Sequence, residues 1–286
     1  MTKLASAKSD KPPKPSSKSM SNLPVEICQM IVSQVLDDQR TLHTLLLVSQ
    51  SFLGEACRAL YRTIRVRSDQ YRNRLPLSTA MRRKYYGPLV HSFTVEPRRA
   101  YFTTIRPILV SAINLKELYL LDGCLRNVGT LLHPNHSFQL TTLEIRAHLS
   151  VGLLDFFYSQ PTIQRLHWNP MSPECKLPSD AALLPSVVSL MMPSSILCSP
   201  WFLNQTTVRH LWCIMTAGRV ELDHPPSEAS RRLTSFRITH ALESHLEIIP
   251  SLFPNLRYLD ARYISVKRIL NPSKKELTKL VSSSTI

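Results

Sequence analysis

The chain has 286 residues, 43% of them apolar, and carries 35 Lys and Arg against 20 Asp and Glu for a net charge of +15. That length allows one large or two smaller domains, each with a buried core. No run approaches the ~18 consecutive apolar residues of a membrane span and the N-terminus has no apolar signal stretch, which predicts an intracellular protein, cytoplasmic or nuclear.

Residues 1 to 21, MTKLASAKSDKPPKPSSKSMS, hold too few apolar side chains to offset the entropy of ordering, and a disordered basic tail is expected. Three prolines and no Arg exclude a mitochondrial presequence. The next segment, residues 22 to 66, is different in kind. Leu23-Pro24 opens a predicted helix, with Pro expected in its first turn. From Pro24 to Leu36 the apolar side chains Val25, Ile27, Cys28, Met30, Ile31, Val32, Val35 and Leu36 spread over about 240° of the helix, against the roughly 100° stripe that one core needs. Two further helices are predicted at Thr41 to Val48 and Ser51 to Tyr61, the latter with Ser49 as N-cap. The segment from 23 to 66 holds 23 apolar residues in 44, too many for a unit of that size to bury by itself. A second protein is needed to cover the remainder.

The ordered set Leu23-Pro24-x-Glu26-Ile27, Ile31, Leu36, Leu42, Leu45, Val48-Ser49, Phe52 and Leu60-Tyr61 resembles the F-box family, and the trailing LYRTI at 60 to 64 looks like many fungal members. The resemblance implies a three-helix module that docks on a Skp-type adaptor and, through it, on the cullin and RING subunits of a ubiquitin ligase. Leu23, Pro24, Ile27, Ile31, Leu36 and Val48 match family positions that form that interface or support it.

Residues 67 to 89 form a basic junction; the stretch from 67 to 106 has nine bases against two acids. Beyond it, an apolar-x-x-apolar-x-apolar pattern recurs as Val90-Phe93-Val95, Leu115-Leu118-Leu120, Leu140-Leu143-Ile145, Ile163-Leu166-Trp168, Val187-Leu190-Met192, Val208-Leu211-Cys213, Leu233-Phe236-Ile238 and Leu256-Leu259-Ala261. Successive copies start 21 to 25 residues apart. This resembles the leucine-rich repeat, in which the last apolar-x-apolar triplet is a short strand and the strands stack in parallel over a shared core. Return segments of apolar, partly helical character lie between the copies, among them 103 to 113, 152 to 158 and 245 to 253. The Asn that usually follows each strand in that family is absent, so irregular connections are expected. The fold class expected for the whole is α/β, with a three-helix F-box at 22 to 66 followed by an irregular leucine-rich-like solenoid at 90 to 262 and a basic segment at 263 to 286.

Within each strand the residues flanking the second apolar position point away from the core. Tyr119, Arg146, His167, Met191, Trp212, Ile214, Arg237 and Tyr258 are therefore candidates for contact with an unknown substrate protein, with Met191, Trp212 and Ile214 as an apolar island. A one-residue register slip would instead bury Trp212.

Catalysis finds no support in the residues. There is no G-x-G pair, G-x-S-x-G or H-E-x-x-H, and no nucleophile, base and orienting group fall together. The six cysteines are widely spaced with no C-x-x-C pair, so buried free thiols are expected, and neither a zinc site nor any other cofactor. The rival class is a nucleic-acid or polyanion binder using MRRKYY at 81 to 86 and Arg98-Arg99. It is the weaker reading, because those bases sit in a junction outside the two patterned regions, and no nucleic-acid motif surrounds them.

Overall fold

The computed structural model describes residues 23–66, 85–96, 102–121, 128–170, 177–180, 183–214, 227–239 and 243–262. The chain divides into two compact units, with the boundary between Leu60 and Tyr61. The basic tail, most of the basic junction (67–84) and the C-terminal segment from 263 lie outside the described residues.

The first unit is helical. α1 (Val25–Gln34), α2 (Gln39–Val48) and α3 (Gln50–Arg62) follow one another with very short connections. Pro24 is the N-cap of α1, one position earlier than expected, with extended ψ of 143°, and its carbonyl accepts the N–H groups of Ile27 and Cys28 at 3.1 and 3.2 Å. A proline at the cap leaves no N–H to satisfy, and its fixed φ admits the non-helical ψ that a cap requires. At α2 the Asp38 carboxylate accepts from the backbone of Arg40 and Thr41 and from the Thr41 hydroxyl at 2.6 Å. The Thr41 hydroxyl and then its N–H hold the Asp38 carboxyl below the usual carboxylate range. Ser49 accepts from the Phe52 N–H at 3.4 Å, as expected of a cap for α3. Cys28, Val32, Leu42 and Phe52 form the unit's buried core, flanked by Val35, Leu45, Ala59 and Leu60.

The second unit is built on a nine-stranded parallel sheet in simple chain order, β1 (Thr63–Val66), β2 (Ser92–Val95), β3 (Glu117–Leu120), β4 (Thr142–Arg146), β5 (Arg165–Asn169), β6 (Ser189–Pro193), β7 (His210–Ile214), β8 (Ser235–Thr239) and β9 (Tyr258–Arg262). Between them run α4 (Phe102–Ser111), α5 (Val128–Leu131), α6 (Val151–Tyr158), α7 (Pro200–Leu203), α8 (Glu228–Arg232) and α9 (Glu243–Leu252), with 3-10 turns at Gly87–Leu89 and Ser194–Cys198. Every pairing is in register, so the second apolar position of each repeat forms one row: Phe93, Leu118, Leu143, Leu166, Leu190, Leu211, Phe236 and Leu259. Strands too short to bury a core singly do so as a stack.

One strand stands outside the expected count. β1 was expected to fall within the helical module at 22 to 66, yet it pairs with β2, Ile64 facing Phe93 and Val66 facing Val95, and belongs to the second unit. Tyr61-x-x-Ile64-x-Val66 is a ninth copy of the pattern, starting 29 residues before Val90. The boundary between the units accordingly falls at Tyr61, in the last turn of α3, and the sheet begins at Thr63, inside the span 22 to 66.

The missing Asn after each strand has a substitute on the other side. The residue immediately before the first apolar position donates from its side chain to the backbone of the preceding repeat: Asn114 to the Pro88 carbonyl at 2.7 Å, Arg232 to that of Thr206 at 3.2 Å and Asn255 to that of Arg231 at 2.6 Å. Gln160, wholly buried, accepts from the Leu140 N–H at 2.8 Å and donates to the Phe138 carbonyl at 3.1 Å. Each of these bonds satisfies backbone groups that irregular connections would otherwise leave unpaired. Gly87 is required by close approach, since a Cβ there would fall 2.4 Å from the Ser111 carbonyl oxygen.

His136 links this unit to pH. Its ring stacks on Phe138 with centroids 4.7 Å apart, Nε2 lies 3.0 Å from the Leu131 carbonyl oxygen, and burial holds its pKa below the ordinary 6.5. The unfolded chain therefore binds a proton that the folded chain resists, and stability is lost as pH falls below 6.5 toward the folded value. Thermal unfolding is expected to move to lower temperature between pH 7.5 and 5.5, and a His136→Gln variant to show a shallower dependence over the same interval.

Candidate protein-interaction surfaces

α1 has two apolar faces. Cys28 and Val32, one turn apart, point into the helical core. Ile27 and Ile31 lie about 100° round the helix from them and stand at the surface with Leu23 and Met30, the last 63% exposed. Leu36, Val48 and Leu53 are also exposed, and Leu47 is 87% exposed. All six residues singled out at the adaptor face, Leu23, Pro24, Ile27, Ile31, Leu36 and Val48, are at the surface. Leu47 and Met30 join them although they carried no site assignment; the triplet Leu45-Leu46-Leu47 on a helix was the available signal, since three consecutive residues cannot all face one core.

On the sheet, the open face follows the expected alternation. The middle outward row runs Arg65, Thr94, Tyr119, Glu144, His167, Met191, Trp212, Arg237 and Asp260, each paired with the next across a strand boundary. Its charges are largely compensated within the row: His167 Nδ1 lies 3.6 Å from Glu144, and Arg237 Nε pairs with Asp260 at 2.7 Å. Glu117, two residues before Tyr119 and on the same face, lies 3.6 Å from Arg165. The Tyr119 hydroxyl donates to Glu117 at 3.4 Å, and burial, then the Glu117 charge, raises its pKa.

Trp212 is the centre of this row. It is half-buried on the outward side, while its neighbours Leu211 and Cys213 fill the core, so the register slip is excluded. The Arg237 guanidinium sits 4.8 Å above its ring and His167 meets it edge-on at 6.4 Å. Its indole N–H is shielded from solvent and has no acceptor among the described residues, a state that costs about 1–3 kcal/mol. Met191 adjoins Trp212 in register, and Ile214 lies two residues further along β7 on the same face. Tyr258 is 71% exposed at the β9 end, and Arg146 is exposed at the end of β4. The eight substrate-face candidates thus share one face of one sheet.

No protein-family model matches the chain, and no curated protein matches it in sequence. Among the described residues no three His, Cys, Asp or Glu side chains come together to hold a metal ion, and no helix is long and apolar enough to cross a membrane. Cys213 is fully buried, and burial pushes its thiol well above the ordinary range, leaving it an inert core side chain. Residues 81 to 84 and 98 to 99, on which a nucleic-acid reading rested, lie outside the described residues.

Proposed function

We propose that this chain is the substrate-recognition subunit of a Skp–cullin–F-box ubiquitin ligase. Its N-terminal helices form an F-box that docks on the Skp-type adaptor, and its leucine-rich-like sheet takes up the protein to be ubiquitinated. One observation carries the reading: α1 and the residue leading into it present a second apolar stripe, Leu23, Ile27, Met30 and Ile31, at the surface, beside the stripe that the unit's own core uses. An exposed apolar surface of that kind marks a protein contact, and the ordered pattern from Leu23 to Tyr61 names its chemistry. The chain itself is no catalyst in this reading. It raises the effective concentration of a target lysine near the conjugating enzyme. The test is co-purification of the full chain with a Skp-type adaptor from a mixture of the two purified proteins; failure to form a complex at tens of micromolar would overturn it.

On the target side, Trp212 is the expected anchor, because a large, half-buried ring at the centre of the open face gains packing when a partner covers it. Trp212→Ala is expected to weaken target binding by about 2 kcal/mol while lowering the unfolding midpoint only slightly. A variant that unfolds, instead of losing only its partner, would remove Trp212 from the recognition surface.

A further inference from the structure

Counted along the chain, residues 107 to 262 carry twelve bases and twelve acids, but the fold sorts them. The residues entering successive strands hydrogen-bond to one another in a line: the His91 N–H donates to Arg62, the Lys116 N–H to His91, the Arg209 N–H to Val188 and the Arg257 N–H to Thr234. Arg62, His91, Lys116, Arg209 and Arg257 thereby fall on one edge of the sheet, in two groups separated by the neutral row members Thr141, Gln164 and Val188, with Thr234 between Arg209 and Arg257; Arg165 lies one residue further in. Neighbouring strands are ~4.8 Å apart, so the row from β1 to β9 extends about 38 Å. No residue of that row is an acid, and the adjoining positions of the strands hold only Glu117, which lies within ion-pair reach of Arg165. Among the described residues no carboxylate pairs with Arg62, Lys116, Arg209 or Arg257. His91 reports the local field: burial, then the charges of Arg62 and Lys116, lowers its pKa.

We infer that this edge of the sheet is a docking strip for an extended acidic segment of the target protein, which makes acidic-run proteins the substrate class. The inference rests on the sheet being the target-binding face. Charge complementarity selects the occupant: cations such as Arg62, Lys116, Arg209 and Arg257, which have no carboxylate partner among the described residues, gain most from a ligand bearing acids at intervals along an extended chain. A nucleic acid fits less well, because single-strand binding relies on stacking platforms and this row carries no Phe, Tyr or Trp from β1 to β8; Tyr258 beside Arg257 stands alone at the β9 end. The neighbouring Met191, Trp212 and Ile214 would then seat an apolar residue of the same segment.

The test uses the full chain and a fluorescent twelve-residue peptide of alternating Glu and Ser, titrated at moderate salt. The triple reversal Lys116→Glu, Arg209→Glu and Arg257→Glu is expected to weaken binding at least about tenfold, each exposed charge contact contributing modestly. A control with Lys11→Glu, Lys14→Glu and Lys18→Glu has the same net charge and is expected to bind like wild type. Equal weakening in both variants, no effect of the strip reversal, or tighter strip-dependent binding of a single-stranded RNA with the same number of charges would each overturn the inference. Adaptor binding, which uses the other unit, is measured on the same samples; its retention with loss of the peptide separates failure at the strip from failure of the ligase reading.

Discussion

Under the proposed function, replacing Ile27 and Ile31 together by Asp is expected to abolish capture of a Skp-type adaptor and to leave the protein folded. Both side chains are 39% exposed on α1 and neither belongs to the buried cluster, so stability is expected to fall by about 1–2 kcal/mol, from helix propensity and the partly covered apolar area. Binding loses far more. Two central apolar contacts of an interface contribute about 2 kcal/mol each, and burying a carboxylate against an apolar partner adds a further cost, so affinity drops by more than about a hundredfold. Cys28→Asp makes the contrast. It lies one residue from Ile27 but is wholly buried, and there the same carboxylate unfolds the helical unit. Circular dichroism and an adaptor pull-down on the two variants separate the faces: the double variant keeps its helices and loses its partner, and Cys28→Asp loses both. Retained adaptor binding by the Ile27→Asp, Ile31→Asp protein would remove that face from the interface.

Trp168→Ala costs about 3–5 kcal/mol of stability and reduces or abolishes the cooperative unfolding transition of the sheet unit. The indole is fully buried, packs edge-on against Phe157 at 5.6 Å and donates to the Ala147 carbonyl at 3.0 Å. Truncation opens a cavity between β5 and α6 and strands that carbonyl. Trp168→Phe keeps most of the packing and loses only the hydrogen bond, for about 1–2 kcal/mol. Urea denaturation of the two variants beside Trp212→Ala tests the alternation of the strands, since Trp168 faces the core and Trp212 the open face. A Trp168→Ala protein as stable as Trp212→Ala would mean that the inward and outward rows are assigned wrongly.

The parts of this fold most legible in sequence were those repeated in place. Leu118, Leu143, Leu166 and Leu190 recur at nearly constant spacing because each fills the same layer of one stacked core, and the outward residues follow from them by the period of two. β1 escaped because Tyr61 closes a helix pattern and opens a strand pattern with the same side chain, and the longer gap to Val90 broke the rhythm. The hydrogen bonds of Asn114, Arg232 and Asn255 were illegible for a different reason: two residue types, amide and guanidinium, do one job in only some of the repeats, and their acceptors are carbonyls 24 to 26 residues away. The basic edge was hidden by arithmetic along the chain, where acids in the returns cancel bases at the strand entries. Only the register of the sheet separates them.

Calorimetric titration of the full chain with a purified Skp-type adaptor, at two temperatures and two salt concentrations, bears most directly on the proposed function. A one-to-one complex is expected, with a negative heat-capacity change from apolar burial and an affinity that barely responds to salt. Absence of binding, or binding that collapses as salt rises, would contradict docking through the apolar stripe of α1.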